Sequence, residues 1–279
     1  MKKTVKRGLK IAAGIASAVL LGGILTFANA LVGNPVSALL AKSTADRYVA
    51  EHYAEQGYTC SGVDFDFKFG GYYARVNGAG VDEYFSLKMD MLGHLQYDDF
   101  VIVSQGFNTS RRLYDDYRAL CQPVLNVLPY ETGLNLAELV IVTAPGEADE
   151  HGCVFDAPVC SELVVNGQYD VRELARGAGR LIIYVDSRTV STEVLAQALL
   201  DTRRVFDGAG VPFAAVSMTL QTPKPADGSN WAREEICVLD FAYEDIYEEG
   251  LTARVQTAVD KAAAYYAALD AQGKEDFVP

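Results

Sequence analysis

The chain has 279 residues, half of them apolar and 22% charged, a composition that buries a core and excludes a disordered linker or a low-complexity tail. The formal charge is -13, and because Lys2, Lys3, Lys6, Arg7 and Lys10 all fall in the first ten residues, the remainder of the chain stands at -18. A body this acidic lacks the clustered basic face that phosphate binding needs, which excludes nucleic acid as a partner.

The basic segment 1–10 is followed by 22 uncharged residues, Ile11 to Val32. As a helix they extend about 33 Å, enough for a hydrocarbon core of about 30 Å. Segment 11–33 is therefore expected to be a transmembrane helix, and the cations before it put the N-terminus in the cytoplasm and the body outside. The alternative is a signal peptide cleaved at Ala28-Asn29-Ala30, which yields a secreted body. Either way the body is extracytoplasmic.

Gly33-Asn34-Pro35 ends the apolar helix, and an amphipathic helix follows, with Leu39, Leu40, Tyr48, Val49 and Tyr53 as its apolar stripe. Alternation then predicts strands. Val63, Phe65, Phe67 and Phe69 share one face and Asp64, Asp66 and Lys68 the other; Tyr72–Val76, Phe85–Met91 and Leu95–Tyr97 complete a four-stranded antiparallel meander. Residues 35–105 thus form a helix-plus-meander module. A helix over about Ser110–Val127, containing Pro123, is expected to link it (106–130) to a second module, 134–279.

In that second module, Leu139–Val142 is a strand candidate, an acidic loop Ala144–Gly152 follows, and Asn166-Gly167 marks a hairpin tip. Strand Arg180–Val185 leads to a helix Thr192–Phe206 capped by Ser191. Strands Phe213–Leu220 and Ile236–Phe241 are joined by a loop with Pro223, Pro225, Asp227 and Gly228, and a last helix covers about Gly250–Ala271. The expected fold class is α+β: an N-terminal transmembrane helix, a helix on an antiparallel meander, and a second α/β sandwich module, its sheet covered by helices.

Several of these marks occur together: the basic start and apolar span, Gly33-Asn34-Pro35, Ala45-Asp46-Arg47-Tyr48 with Tyr53, Val63-Asp64-Phe65, and Gly93-His94-Leu95 leading to Asp98-Asp99-Phe100. In these the chain resembles the YfjL-like membrane-anchored proteins of Gram-positive bacteria. The first module is also similar in pattern to PepSY and cystatin-like domains. The resemblance implies a topology and a fold, and it carries no catalytic residue with it.

No nucleophile elbow, metalloprotease motif, phosphate loop, dinucleotide fingerprint or C-x-x-C pair occurs. Of three histidines, His52 falls in a helix, His94 follows a turn glycine and His151 lies in the acidic loop; a base needs a positioned nucleophile that sequence does not display. Asp64, Asp66, Asp98-Asp99, Asp115-Asp116 and Glu244-Asp245 form no calcium loop and are expected to be a solvated acidic face. Five cysteines are an odd number, so one at least has no partner within the chain. Cys153 and Cys160 form the candidate disulfide. His151-x-Cys153 with Cys160 offers only three zinc ligands, one short of a structural site, so no metal and no cofactor is expected. Cys60, Cys121 and Cys237 are expected to be small core residues.

These features favour a non-catalytic binding or sensing module, contacting the membrane through its N-terminal helix and a protein or peptide outside. Two other classes stay open. One is an extracytoplasmic hydrolase whose site assembles only in three dimensions. The other is a structural accessory of a membrane complex, for which Gly14, Ala18 and Gly22 supply a small-residue face.

Overall fold

The computed structural model of the protein describes residues 2–225 and 233–271; within the first helix, the side chains at 2–12, 25, 28 and 30 also lie outside the description. The Asp227-Gly228 part of the proline/glycine loop falls outside it too. The chain divides into two compact units, Met1–Ser104 and Gln105–Pro279.

The first unit opens with α1 (Lys2–Val32), one helix of 31 residues. Among the described residues no helix is long and apolar enough to cross a membrane. As a helix, α1 spans the whole uncharged sequence Ile11–Val32. Asn34 caps α2 (Pro35–His52): its Oδ1 accepts from Ser37 N at 2.8 Å, and Pro35 occupies the first turn, where its missing N–H costs nothing.

The meander is as the alternation predicted. Strands β1 (Thr59–Asp66), β2 (Gly71–Asn77), β3 (Tyr84–Met89) and β4 (Leu95–Asp98) pair antiparallel in sequence order. Its buried face is Tyr72, Ala74 and Val76 with Phe85, Leu87 and Met89. The expected helix stripe is corrected: Leu39 and Leu40 are exposed, and Ser37, Ala41, Ala45 and Val49 face inward at four-residue spacing. Small side chains let the helix backbone approach the sheet and the β3–β4 turn, where Gly93, at φ +81°, abuts Leu40 and Ala41. Tyr53, Tyr58, Phe85 and Phe100 close the core, with Tyr53 4.8 Å from Phe100 and 5.1 Å from Phe85 between ring centroids, and one turn of helix, α3 (Val101–Ser104), ends the unit.

Phe67 and Phe69 depart from the inner face that alternation predicts for them. Strand β1 ends at Asp66, whose Oδ1 accepts from Lys68 N and Phe69 N, so the chain turns before either phenylalanine can join the inner face, and both are exposed. A carboxylate that satisfies turn N–H groups competes with continued strand pairing.

In the second unit, β5 (Thr132–Leu139), β6 (Gly179–Asp186), β7 (Ala215–Gln221) and β8 (Glu235–Ala242) form a sheet in sequence order. β5–β6 and β7–β8 are antiparallel, while β6–β7 is parallel because α6 (Thr192–Ala209) makes the crossover between them. The helix read as a linker, α4 (Phe107–Leu125), is a core element of this unit: Leu113, Tyr117, Cys121 and Val124 are buried with Leu181, Ile183, Leu199 and Met218. Tyr117 Oη donates to Pro212 O at 3.0 Å. The last helix, α7 (Leu251–Ala271), lies against β8 and α6.

No hairpin forms at Asn166-Gly167. The segment instead holds a single turn of helix, Cys160–Glu162, and a tight turn with Asn166 at φ +60°, before a helix that sequence patterning did not indicate, α5 (Val171–Ala178). Asp170 caps α5 by accepting from Arg172 N and Glu173 N.

Candidate functional site

The polar cluster of the second unit is built by one irregularity in β8. Val216 pairs with Phe241 and Met218 with Val238, so two residues, Leu239 and Asp240, stand opposite Ser217. This bulge forces Asp240 to φ +45°, a left-handed conformation that aspartate tolerates better than most residues. The displaced Asp240 N–H donates to Ser217 Oγ at 2.9 Å, and Ser217 Oγ donates back to Asp240 Oδ1 at 3.2 Å.

Arg180 reaches the same point from β6, where alternation puts it on the face opposite Leu181 and Ile183. Its guanidinium binds Glu138, its register partner on β5, donates to Asp149 Oδ2 at 2.9 Å, and lies 3.5 Å from Asp240 Oδ1. The acidic loop supplies the rest. Asp149 Oδ1 accepts from the backbone N–H of His151 (3.0 Å) and Cys153 (2.8 Å), and His151 Nδ1 lies 2.5 Å from Asp240 Oδ2. His151 Nε2 is 3.8 Å from Glu150, and its ring meets Tyr265 of α7 edge-on at 5.3 Å.

The Asp240 side chain is 2% exposed. Burial pushes its pKa up, but the bond from His151 and the charge of Arg180 outweigh burial and hold it below the usual carboxylate value. Burial and the Asp240 carboxylate move Asp149 upward. The bond to Asp240, working against burial, raises His151 above its ordinary 6.5. Asp240 at Nδ1, with Asp149 and Glu150 nearby, favours the protonated form of the ring. Cys153 shares the cleft, and burial first, then Asp240 and Asp149, keep its thiol protonated. A cavity of about 360 Å³ opens beside the cluster, lined by His151, Cys153 and Asp240 on one side and Arg254, Lys261 and Tyr265 on the other.

Asp149, His151 and Asp240 place one oxygen or nitrogen each within 4.8 Å of one another, a donor set a divalent cation could use. Such an ion would have to displace Arg180 from both carboxylates and break the His151–Asp240 bond. The zinc set drawn from sequence is not assembled. Cys160 is turned away, its thiol donating to Gln105 O at 3.3 Å, and it is not bonded to Cys153; all five cysteines are free. Two isolated bridges, Ala148 with Val154 and Val142 with Val159, set the two cysteines on separate parts of the loop. Cys121 is fully buried, whereas Cys60 and Cys237 are only partly so.

The other sequence candidates do not converge. Asp64 pairs with Arg75 at 3.0 Å on an open surface, His52 stacks on Tyr48, and His94 pairs with Asp90 at 3.0 Å. Asp98 accepts from Tyr48 Oη (2.9 Å) and Tyr53 Oη (2.5 Å), a structural role in the first core. Asp149, Arg180 and Asp240 are site residues that sequence patterning does not single out: Asp149-Glu150-His151 is a local signal, whereas Asp240 sits in an ordinary strand pattern and only the bulge reveals it.

A four-stranded meander under one helix, followed by a four-stranded mixed sheet carrying a closed ion cluster, defines a two-module α+β protein. Residues 8–99 match the family model for the YfjL-like N-terminal domain, and residues 160–256 match that for the YfjL-like C-terminal domain. The chain therefore carries both YfjL-like domains in order and belongs with the YfjL-like proteins. No curated protein and no solved structure matches it.

Proposed function

We propose that the chain is a single-pass, membrane-anchored protein of a Gram-positive bacterium whose extracytoplasmic body is a non-catalytic binding module. The observation that carries the non-catalytic part is the His151–Asp240 pair. A histidine bonded through Nδ1 to a buried carboxylate that Arg180 also contacts, and shifted toward its protonated form, serves as a fastener for the acidic loop rather than as a free base. Anchoring is supported by the uncharged helical sequence Ile11–Val32 behind five cations. The helix-on-meander arrangement supports the likeness of the first unit to PepSY and cystatin-like domains, which suits contact with a protein or peptide along an open sheet edge.

Flotation of the full chain with membranes after alkaline extraction, combined with protease treatment of intact protoplasts, tests anchoring. The expected result is a chain that floats and a body that is digested. A body protected in intact protoplasts overturns the topology, and a soluble body starting near Leu31 replaces the anchor by a cleaved signal peptide.

A hydrolase is the second reading, favoured by one observation: His151, Cys153 and Asp240 line the same cleft. Turnover of an ester, peptide or phosphoester by the full chain, lost in His151→Gln with the fold intact, would establish it.

A further inference from the structure

We propose that the first unit contacts the bilayer a second time, through an apolar rim made by the first turns of α2 and the two hairpin turns beside them. The proposal rests on the anchored reading above and adds the orientation in which the body is held.

The chain path brings these pieces to one end of the unit. The β1–β2 ladder closes with Phe65 opposite Tyr72 and Asp66 opposite Gly71, leaving residues 67–70 as the turn. The exit from α1 meets the ladder at that turn: Tyr72 Oη accepts from Asn34 N and donates to Asn34 O, both at 2.9 Å, and a Cβ on Gly33 would lie 2.8 Å from Phe65 Cγ. Strands of a meander reverse at each turn, so the β3–β4 turn lies at the same end as the β1–β2 turn. Contact of Gly93 with Leu40 and Ala41 fixes the start of α2 there as well.

This end displays Val36, Leu39 and Leu40 from α2, Phe67 and Phe69 from the first turn, and Leu92 from the third, all between 46% and 71% exposed. The turn at the opposite end, residues 78–83, displays Val81 alone among large apolar side chains. Six large exposed apolar residues at one end of the unit are more than the single exposures that soluble surfaces carry without consequence.

Their position names the occupant. The uncharged stretch of α1 ends at Val32, one residue before Gly33, so the rim surrounds the level at which the anchor leaves the hydrocarbon. Aromatic side chains with neighbouring lysines suit that depth, the rings at the headgroup boundary and the ammonium groups at the phosphates. Lys68 stands between Phe67 and Phe69, and Lys88 Nζ lies 4.8 Å from the Phe69 ring centroid. A phospholipid interface offers both chemistries to this surface. Because the body as a whole is acidic, apolar insertion and these local lysines, rather than net charge, supply the attraction. Attachment at two points would hold the first unit in a fixed orientation on the membrane.

The test uses the full chain in vesicles of phosphatidylcholine and phosphatidylglycerol with lipids brominated near the headgroup end of the acyl chains. Phe67→Trp, Leu92→Trp and Val81→Trp are compared, the signal of the sole native tryptophan, Trp231, being subtracted from the unsubstituted chain. Tryptophan at 67 and at 92 is expected to be blue-shifted and quenched roughly twofold more than at 81. A chain that floats with the vesicles but shows equal quenching at all three positions overturns the rim and leaves the anchor standing. A blue shift at 67 and 92 without quenching places the rim against protein and overturns the proposal. A chain that does not float overturns the anchored reading and the rim together.

Discussion

His151 Nδ1 and Asp240 Oδ2 lie 2.5 Å apart although 89 positions separate the residues, one in an irregular loop and the other on a strand bulge. This bond pins the acidic loop to the sheet, and Arg180 reinforces it by pairing with Asp240 and with Asp149 of the loop. Its consequences are measurable in the stability of the full chain.

The first is a dependence on pH. His151 has a folded-state pKa raised above 6.5 by its bond to Asp240, so its stabilisation is complete below about pH 6.5 and is lost as pH rises through the folded value. Asp240, lowered below 3.8, adds stability that is present above that value and lost as pH falls through the folded one. The melting temperature of the full chain should therefore decline from about pH 6.5 into the alkaline range, with His151→Gln flattening this slope. An unchanged slope in His151→Gln would remove the histidine from the network.

Breaking the cluster at its centre should cost more than trimming its edge. Asp240→Ala leaves Arg180 and His151 without their shared carboxylate and places alanine at φ +45°, an expected loss of about 3–5 kcal/mol. Asp240→Asn keeps the turn preference and one acceptor, and should lose about 1 kcal/mol less than Asp240→Ala. Denaturant titration of both variants measures the difference, and equal losses would mean that backbone strain plays no part.

The exposed position of Phe67 leads to a clear contrast in the first unit. Phe67→Asp should retain the fold in circular dichroism, with a change within about 0.5 kcal/mol, because the side chain lies on the turn outside the ladder. Leu87→Ala, at a fully buried position on β3, should cost about 2–5 kcal/mol. Loss of structure in Phe67→Asp would return that residue to the core.

Gly93→Ala should also destabilise this unit. The glycine is at φ +81°, and a Cβ would come 2.8 Å from the Leu40 carbonyl carbon, a backbone atom that cannot step aside cheaply. Left-handed backbone alone costs a non-glycine residue about 1–2 kcal/mol, to which the clash with α2 adds. Thermal unfolding gives the comparison, and a neutral substitution would show that the turn is free to move.

Thiol chemistry should be silent. With all five cysteines free, a denatured sample should titrate five thiols, and reductant should leave the melting temperature unchanged. Fewer thiols would reveal an oxidative pairing that the folded chain does not require.

Local periodicity alone carries the antiparallel meander, the strand Arg180–Val185, the capped crossover helix after Ser191 and the last helix, each with a strong repeat of two or 3.6 residues. Periodicity fails where small residues face the core, as Ala41 and Ala45 do in α2, and where a local hydrogen bond beats the pattern. Asp66 ends β1 before Phe67 can follow the alternation, and a turn replaces the hairpin expected at Asn166-Gly167. The site belongs wholly to tertiary structure. Glu138 and Arg180 come together through strand register, and Asp240 enters only because a single extra residue opposite Ser217 turns its carboxylate toward a loop that has no periodicity at all. Charges so far apart in the chain, meeting at a bulge, leave no spacing for a motif to record.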